Sequence, residues 1–308
     1  MKEYSNYCNC GFNCCILRRN LGHRTRCLRR EYLPDNQIAL GLALNTTSYL
    51  IAMRLIGGAL ALSLAEFLPW SQVYQLMALV LVPCIVAMFL TDEPNVSSPS
   101  PKNFYESVVL PFQDFFTRKG AWLVIAFILL YKLGDNMGGA LSTKFYLDMQ
   151  YSKIEIGAAS KLVGWIAIVA GSLIGGFFMV SMRIRNALFI FGVFQAISTA
   201  AFALLAVFSH NTLLLAAIIA FENFTAGLGT AAFSTLIARL TNKRFTATQY
   251  ALLTSVMGVP RYLSGAPTGY IVEAVGWTSF YIFCGLVAIP GILLSLRVKE
   301  NSNGEISL

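Results

Sequence analysis

The chain has 308 residues, of which 56% are hydrophobic and only 12% are charged, and its formal net charge is +8. A soluble domain of average composition carries about 25% charged residues, so a chain with half that share has too little polar surface to remain in water. Seven of the 23 basic residues precede residue 31, and most of the others lie in the connections between apolar runs. They form no basic stripe along one element, which argues against a nucleic-acid-binding protein. The composition therefore predicts an all-α integral membrane protein in contact with the lipid bilayer.

The first thirty residues differ from the rest, because they contain five of the seven cysteines and six arginines. The four cysteines from Cys8 to Cys15 have a C-x-C-x3-C-C spacing that matches none of the C-x2-C pairs of structural zinc sites, so we expect no metal there. The stretch also lacks the apolar core and cleavage site of a secretory signal. We expect residues 1–30 to form a disordered tail or to be read out of frame, with the genuine coding sequence resuming near Glu31.

Eight apolar stretches follow, and each approaches or exceeds the ~20 residues that a helix needs to cross a bilayer. They run over residues 38–66, 72–90, 119–145, 155–180, 186–208, 211–238, 246–272 and 277–297. A segment rich in proline and serine, 91–118, separates two of these helices from the other six. We therefore predict about eight transmembrane helices: a two-helix remnant of an amino-terminal lobe (31–90), a linker (91–118), a complete six-helix carboxy-terminal lobe (119–297) and a short tail (298–308). Six spans after a central loop are typical of one lobe of a two-lobed transporter.

The charges in the connections indicate the orientation. Alternate connections contain pairs or triplets of Lys and Arg, such as Arg183 with Arg185, and the linker contains more, whereas the other connections have almost none. Cytoplasmic loops of membrane proteins carry this basic excess. The pattern predicts that both chain ends and the linker lie in the cytoplasm.

Ionisable residues within a span cost roughly 2.5–3.5 kcal/mol each on insertion scales, so each is a candidate for substrate binding or proton coupling. They are Arg54, Lys132, Asp135, Lys161, Glu222 (with Asn223 beside it) and Arg261. Lys132 and Asp135 are three residues apart and can pair on one helix face, whereas Lys161 lies near the outer boundary and can snorkel to the headgroups. Glu222 and Arg261 have no local partner, so they either face a cavity or pair with each other.

These residues leave an excess of two positive charges within the spans. If they line one cavity, an anionic substrate would relieve the imbalance, and Glu222 or Asp135 would be a candidate proton carrier. Glycines in the fourth span (Gly171, Gly175 and Gly176) and in the sixth (Gly227 and Gly229) permit close helix packing or a hinge. Pro260 in the seventh span predicts a bend beside Arg261.

Enzyme motifs are absent from the sequence. It contains two histidines, His23 and His210, and no Gly-rich phosphate loop, HExxH or GxSxG motif. A membrane-bound glycosyl or acyl transferase would need a catalytic carboxylate or histidine in a water-facing loop, and the loops are short and poor in both. We therefore predict a protein that is not an enzyme and uses no cofactor.

Three stretches resemble the AmpG-type muropeptide permeases of the major facilitator superfamily: YKLGDNMGGALSTKFYLDMQYSKIEIG (131–157), FENFTAGLGTAAFSTLIARLTNKRFTATQYALLTSV (221–256) and PTGYIVEAVGWTSFYIFCGLVAIPGILL (267–294). The most specific pieces are the FTATQYALL run, which adds Gln249 to the candidate site residues, and the Glu222-Asn223 dyad. The resemblance extends through REYLPDN and TDEP and covers nearly everything after Arg30. It implies a major-facilitator-type helical bundle in the inner membrane that imports anhydro-muropeptides from periplasm to cytoplasm with protons.

The chain departs from this family at its start. Family members carry at least twelve spans, and the first four have no counterpart here, because GHRTRCLR stands where the family has a glutamine-aspartate motif in its fourth helix. Alternating access rocks one lobe against the other, so we expect this short chain alone not to transport. A separately encoded amino-terminal piece or a second copy would be the alternative way to a working carrier. The sequence also leaves open another anionic substrate, such as acetyl-coenzyme A.

Overall fold

The computed structural model describes residues 38–52, 60–90, 103–118, 120–208, 210–242, 245–300 and 306–307. Its helices are α1 (Ile38–Ile51), α2 (Ala61–Ala65), α3 (Trp70–Leu90), α4 (Leu110–Thr117), α5 (Ala121–Tyr131), α6 (Leu133–Ala140), α7 (Ser142–Asp148), α8 (Lys153–Ala158), α9 (Gly164–Ser181), α10 (Ile184–Val207), α11 (Thr212–Leu240), α12 (Thr246–Leu263), α13 (Gly265–Val287) and α14 (Ile289–Ser295). Two π-helical turns, Tyr105–Val109 and Ala159–Val163, precede α4 and α9. Two short strands, β1 (Lys299–Glu300) and β2 (Ile306–Ser307), pair antiparallel near the chain end. The predictions for residues 1–30 and for Arg54 lie outside the described residues.

Five helical stretches of the described part are long and apolar enough to cross a membrane: Ala121–Asp148, Ile154–Ser181, Ile184–Val207, Thr212–Leu240 and Pro267–Ser295. The last contains a break at Gly276 (φ 75°, ψ 167°), a backbone conformation that is essentially restricted to glycine. The break falls between the seventh and eighth predicted spans. The 21 residues of α3, most of them apolar, are also long enough to cross a membrane, because they extend over about 31 Å at 1.5 Å per residue. The predicted all-helical membrane fold is confirmed.

The outward faces of the long helices are apolar. Phe177, Leu213 and Tyr262 are 70%, 80% and 82% exposed, and many other large apolar side chains are exposed on the same helices. Soluble monomers rarely expose apolar patches of this extent. The surface is therefore suited to the hydrocarbon core of a bilayer.

Glycines bring α9 and α11 into backbone contact. A Cβ built on Gly171 would lie 2.1 Å from the Phe224 carbonyl oxygen, and one built on Gly227 would lie 2.5 Å from the Ile168 carbonyl oxygen. Helix α11 continues through Gly227 and Gly229 without a break. Of the two roles considered for these glycines, the structure therefore favours close packing over a hinge in the sixth span.

A polar layer divides the apolar core into two halves. One half includes Tyr131, Phe191 and Leu228, and the other includes Met137, Phe202 and Ile219. The layer between them, on the same helices, consists of Lys132, Asp135, Gln195, Ser198, Thr199, Glu222 and Thr225. Polar groups at this depth must bond one another, since lipid offers them no partner.

The predicted linker contains a helix, which the sequence analysis did not anticipate. Helix α4 has Pro111 in its first turn, where the missing N–H of proline costs no helical hydrogen bond. Gly120, with φ 92°, adopts the left-handed conformation that turns the chain from α4 into α5. Three prolines and four serines precede α4 in the linker, so the overall composition of the segment did not indicate a helix.

Candidate substrate and proton site

The polar layer is organised around Lys132, at the junction of α5 and α6. Its Nζ lies 3.2 Å from Asp135 Oδ2 and donates a hydrogen bond of 3.1 Å to Gln195 Oε1 on α10. The side chains of Lys132 and Asp135 are only 12% and 22% exposed. The predicted contact between these two residues is therefore present, and Gln195 on α10 provides a second hydrogen-bond acceptor for Lys132.

Glu222 on α11 faces the same group. Its Oε2 accepts a hydrogen bond of 2.7 Å from Ser198 Oγ, and its carboxyl group lies near that of Asp135. An ionised carboxylate only accepts hydrogen bonds, and two neighbouring carboxylates cannot readily both be ionised. A direct hydrogen bond between Asp135 and Glu222 would therefore require one of the two groups to hold a proton.

The neutral members of the layer were missed in the sequence analysis. Gln195 and Ser198 lie three residues apart on α10, and a polar pair at that spacing in an apolar span was the available signal. Gly229 on α11 leaves the room that Gln195 needs, since a Cβ there would lie 2.6 Å from Gln195 Oε1. The Gln195 Nε2 atom is buried without a hydrogen-bond partner among the described residues.

Three other candidates lie away from the layer. Lys161, in the π-helical turn before α9, is exposed, and so is Arg261 near the end of α12. The suggested pairing of Glu222 with Arg261 is wrong, because Glu222 faces α6 and α10. Asn223 donates a hydrogen bond of 2.8 Å to the Ile219 carbonyl and packs against Gly164 of α9. Helix α12 ends at Leu263, shortly after Pro260, and continues as α13 from Gly265.

Gln249 holds the linker helix. It is fully buried, and its Nε2 donates hydrogen bonds to Asp114 Oδ2 (2.7 Å) and to the Pro111 carbonyl (3.1 Å) on α4. Its Oε1 accepts from the Asn242 N–H at 2.8 Å. Asp114 also forms an ion pair with Arg118. Gln249 therefore attaches α4 to the α11–α12 connection and contacts no member of the polar layer.

This attachment changes the acidity of Asp114. Partial burial acts to raise the pKa of its carboxyl group, but the hydrogen bond from Gln249 and the hydrogen bond and charge of Arg118 outweigh it, so that the pKa lies below its ordinary value. The Asp114 carboxylate thus stays ionised and bonded at neutral pH.

A cavity of about 210 Å³ lies between α1 and the helices α9, α11 and α12. It opens on the face of α11 that carries Gly227 and Thr230, whereas Glu222 and Gly229 face the polar layer on α10. None of the described residues that line the cavity carries a charge. This cavity is therefore not the one lined by charged residues that the sequence analysis considered. No cluster of three or more metal-binding side chains occurs in this part either.

Comparisons with known proteins fit this architecture. Residues 26–265 match the family model of the Major Facilitator Superfamily. The chain is 40% identical over 274 residues to the anhydromuropeptide permease of Escherichia coli (strain K12), which covers 88% of this chain and 56% of the permease. It is 39% identical over 291 residues to an uncharacterized protein of Haemophilus influenzae, covering 89% of this chain and 68% of that protein.

A third relative is the putative transporter AmpG 4 of Rickettsia conorii, which is 33% identical over 285 residues and of which the chain covers 68%. The chain thus spans little more than half of the E. coli permease and about two thirds of the other two relatives. The match of the family model extends over most of the chain, from the residues before α1 to the start of α13. The chain therefore belongs to the major facilitator superfamily, and its predicted resemblance to AmpG-type permeases is confirmed.

Proposed function

We propose that this chain takes part in proton-coupled import of anhydromuropeptides across the inner membrane. Two facts support the proposal: the 40% identity to the anhydromuropeptide permease of E. coli and the carboxyl pair in the polar layer. The pair is the observation that carries the proton coupling, because a buried ionisable group within a span is costly and is retained chiefly for function.

In this proposal the Asp135–Glu222 pair takes up and releases one proton per cycle. Lys132 neutralises the remaining carboxylate, and Ser198 Oγ lies 2.7 Å from Glu222 Oε2, to which it donates when Glu222 is ionised. Loss of the proton leaves two facing negative charges beside one lysine. That repulsion drives the polar layer apart and favours the alternative arrangement of the helices, which is how protonation is coupled to alternating access.

Transport in this superfamily requires two lobes that move against each other. We propose that α5 to α14 act as one lobe and that α1 and α3 belong to the other. The basic connections support an orientation with both chain ends in the cytoplasm. In that orientation Gln249 and α4 lie at the cytoplasmic end.

The test is uptake of radiolabelled anhydromuropeptide by spheroplasts of an E. coli strain that lacks its own permease. The 308-residue chain is expressed alone and together with the amino-terminal six-helix lobe of the E. coli permease. We expect accumulation from the combination that an uncoupler abolishes, and none from the chain alone. A chain that reaches the membrane but gives no accumulation in either form would contradict the proposal.

A further inference from the structure

We propose that α4 is an interfacial helix, whose aromatic stripe of Phe112 and Phe116 contacts phospholipid at the boundary between headgroups and acyl chains. This surface lies outside the polar layer, and its contact with lipid is independent of whether the chain transports. Three observations support it: the chemistry of the exposed side of α4, the attachment of the opposite side to the bundle, and the contact of Phe116 with the lipid-facing start of α5.

Two exposed stripes of different chemistry run along α4. Residues four apart lie on one side of a helix and successive residues lie about 100° apart, so Phe112 and Phe116 form an aromatic stripe. Gln113 and Thr117 form a polar stripe beside it. All four residues are exposed, and Phe112 and Phe116 each expose 37% of their surface. A helix that lies in the plane of a membrane interface has this pattern, with an apolar face toward the acyl chains and a polar face toward water.

The opposite side of α4 is attached to the end of the bundle. Phe115 is 2% exposed and packs in the apolar core. Asp114 Oδ2 accepts a hydrogen bond of 2.7 Å from the buried Gln249, and Arg118, directly after α4, donates one of 2.9 Å to the Leu240 carbonyl at the end of α11. These contacts fix the rotation of α4 about its axis, so the aromatic and polar stripes face outward together.

The aromatic stripe is continuous with the lipid-facing surface of the spans. The ring centroid of Phe116 lies 5.4 Å from that of Trp122, which is in the first turn of α5 and is 73% exposed. A stretch long and apolar enough to cross a membrane begins at Ala121, so Trp122 stands at the level where this span enters the bilayer. Aromatic rings collect at this level in membrane proteins, among the lipid headgroups. The aromatic stripe of α4 therefore reaches the same lipid.

The test is photo-cross-linking of the purified 308-residue chain in nanodiscs of phosphatidylcholine and phosphatidylglycerol. The photoreactive residue p-benzoylphenylalanine replaces Phe112 or Phe116 in the test variants and Gln113 or Thr117 in the matched controls. Replacement of phenylalanine keeps an aromatic ring, and the two test positions are examined separately, so a variant that does not fold leaves the other to decide. Intact-protein mass spectrometry after irradiation measures the fraction of chain that has gained the mass of one phospholipid.

We expect the lipid adduct to be at least about threefold more abundant at positions 112 and 116 than at 113 and 117, because the apolar face of an interfacial helix is the one buried among acyl chains. Equal adduct yields at the four positions would overturn the proposal. Chain-to-chain cross-links at 112 and 116 in place of lipid adducts would overturn it too, since the aromatic stripe would then dock on a second copy.

The same variants, co-expressed with the amino-terminal lobe of the E. coli permease, distinguish lipid from a protein partner. Lipid adducts at 112 and 116 should persist in this complex. Their replacement by cross-links to the added lobe would refute the lipid contact and assign the aromatic stripe to the interface between lobes.

Discussion

Gly171→Ala should destabilise the protein because α9 and α11 touch backbone to backbone at this point. The added Cβ would lie 2.1 Å from the Phe224 carbonyl oxygen and 2.9 Å from its carbon. Neither atom can move by a side-chain rotation, so the two helices must separate by roughly 1 Å to restore a normal contact. Overpacking of this kind costs about 1–3 kcal/mol, and we expect the upper end because the obstacle is backbone. Alanine regains about 0.5–1 kcal/mol through its better helix propensity, which leaves a net loss of about 2 kcal/mol.

The assay is the thermal unfolding of the detergent-purified chain, read by fluorescence-detected gel filtration. Gly139→Ala is the matched control, because Gly139 also lies in a helix and a Cβ built on it meets nothing within 4 Å. Gly139→Ala should leave the unfolding temperature unchanged or raise it slightly, whereas Gly171→Ala should lower it by several degrees. Equal unfolding temperatures for the two variants would show that α9 and α11 do not pack as closely as described.

Three further predictions concern the polar layer, the linker helix α4 and the amino-terminal end of α8. Lys132→Met should lower the free energy of unfolding by about 3–5 kcal/mol, because it leaves the buried Asp135 without its cation. The double variant Lys132→Met/Asp135→Asn should restore most of the folded yield but not uptake. Equal folded yields from the single and double variants would refute this. Gln249→Ala should speed tryptic cleavage around α4, since it removes the donor to Asp114, whereas Gln113→Ala, at an exposed position, should not. The pKa of Asp114 is lowered in the folded protein. The ionised carboxylate therefore stabilises the attachment of α4 at any pH above the ordinary pKa of about 3.9, and this stabilisation is lost as the pH falls through the folded pKa. The attachment of α4 should thus protect it from cleavage as well at pH 5 as at pH 7. Ser152→Ala removes the capping box with Glu155 and should cost about 1 kcal/mol. Ser142→Ala, at a half-buried serine whose Oγ bonds the Gly139 carbonyl and caps no helix, is the control in thermal unfolding.

The sequence predicted the five long apolar helical stretches of the described part well, because span length and apolarity are physical requirements of the bilayer. The boundaries near Gly276 and the stretch 211–238 agree with the break in α13 and with α11 (Thr212–Leu240). The Lys132–Asp135 contact was also predictable, since three residues of separation fix both side chains on one helix face.

The rest of the candidate site depends on which helices are neighbours, and sequence spacing within one helix does not report that. Glu222 was matched with Arg261 because both lack a local partner, but α11 presents Glu222 to α10 and α6, where Ser198 and Asp135 lie. Gln249 was assigned to the site by resemblance, whereas it bonds the linker helix over 135 residues of sequence. Both corrections arise from tertiary packing.

Substrate-driven proton movement would show whether the Asp135–Glu222 pair carries the transported proton. Proteoliposomes containing the chain together with the amino-terminal lobe of the E. coli permease are loaded with a pH-sensitive dye, and anhydromuropeptide is added outside. We expect acidification of the lumen for the unaltered chain and for Glu155→Gln, whose carboxyl group lies outside the polar layer. Glu222→Gln should still exchange labelled muropeptide but should move no protons. Acidification by Glu222→Gln at the rate of the unaltered chain would show that Glu222 does not take part in carrying the proton.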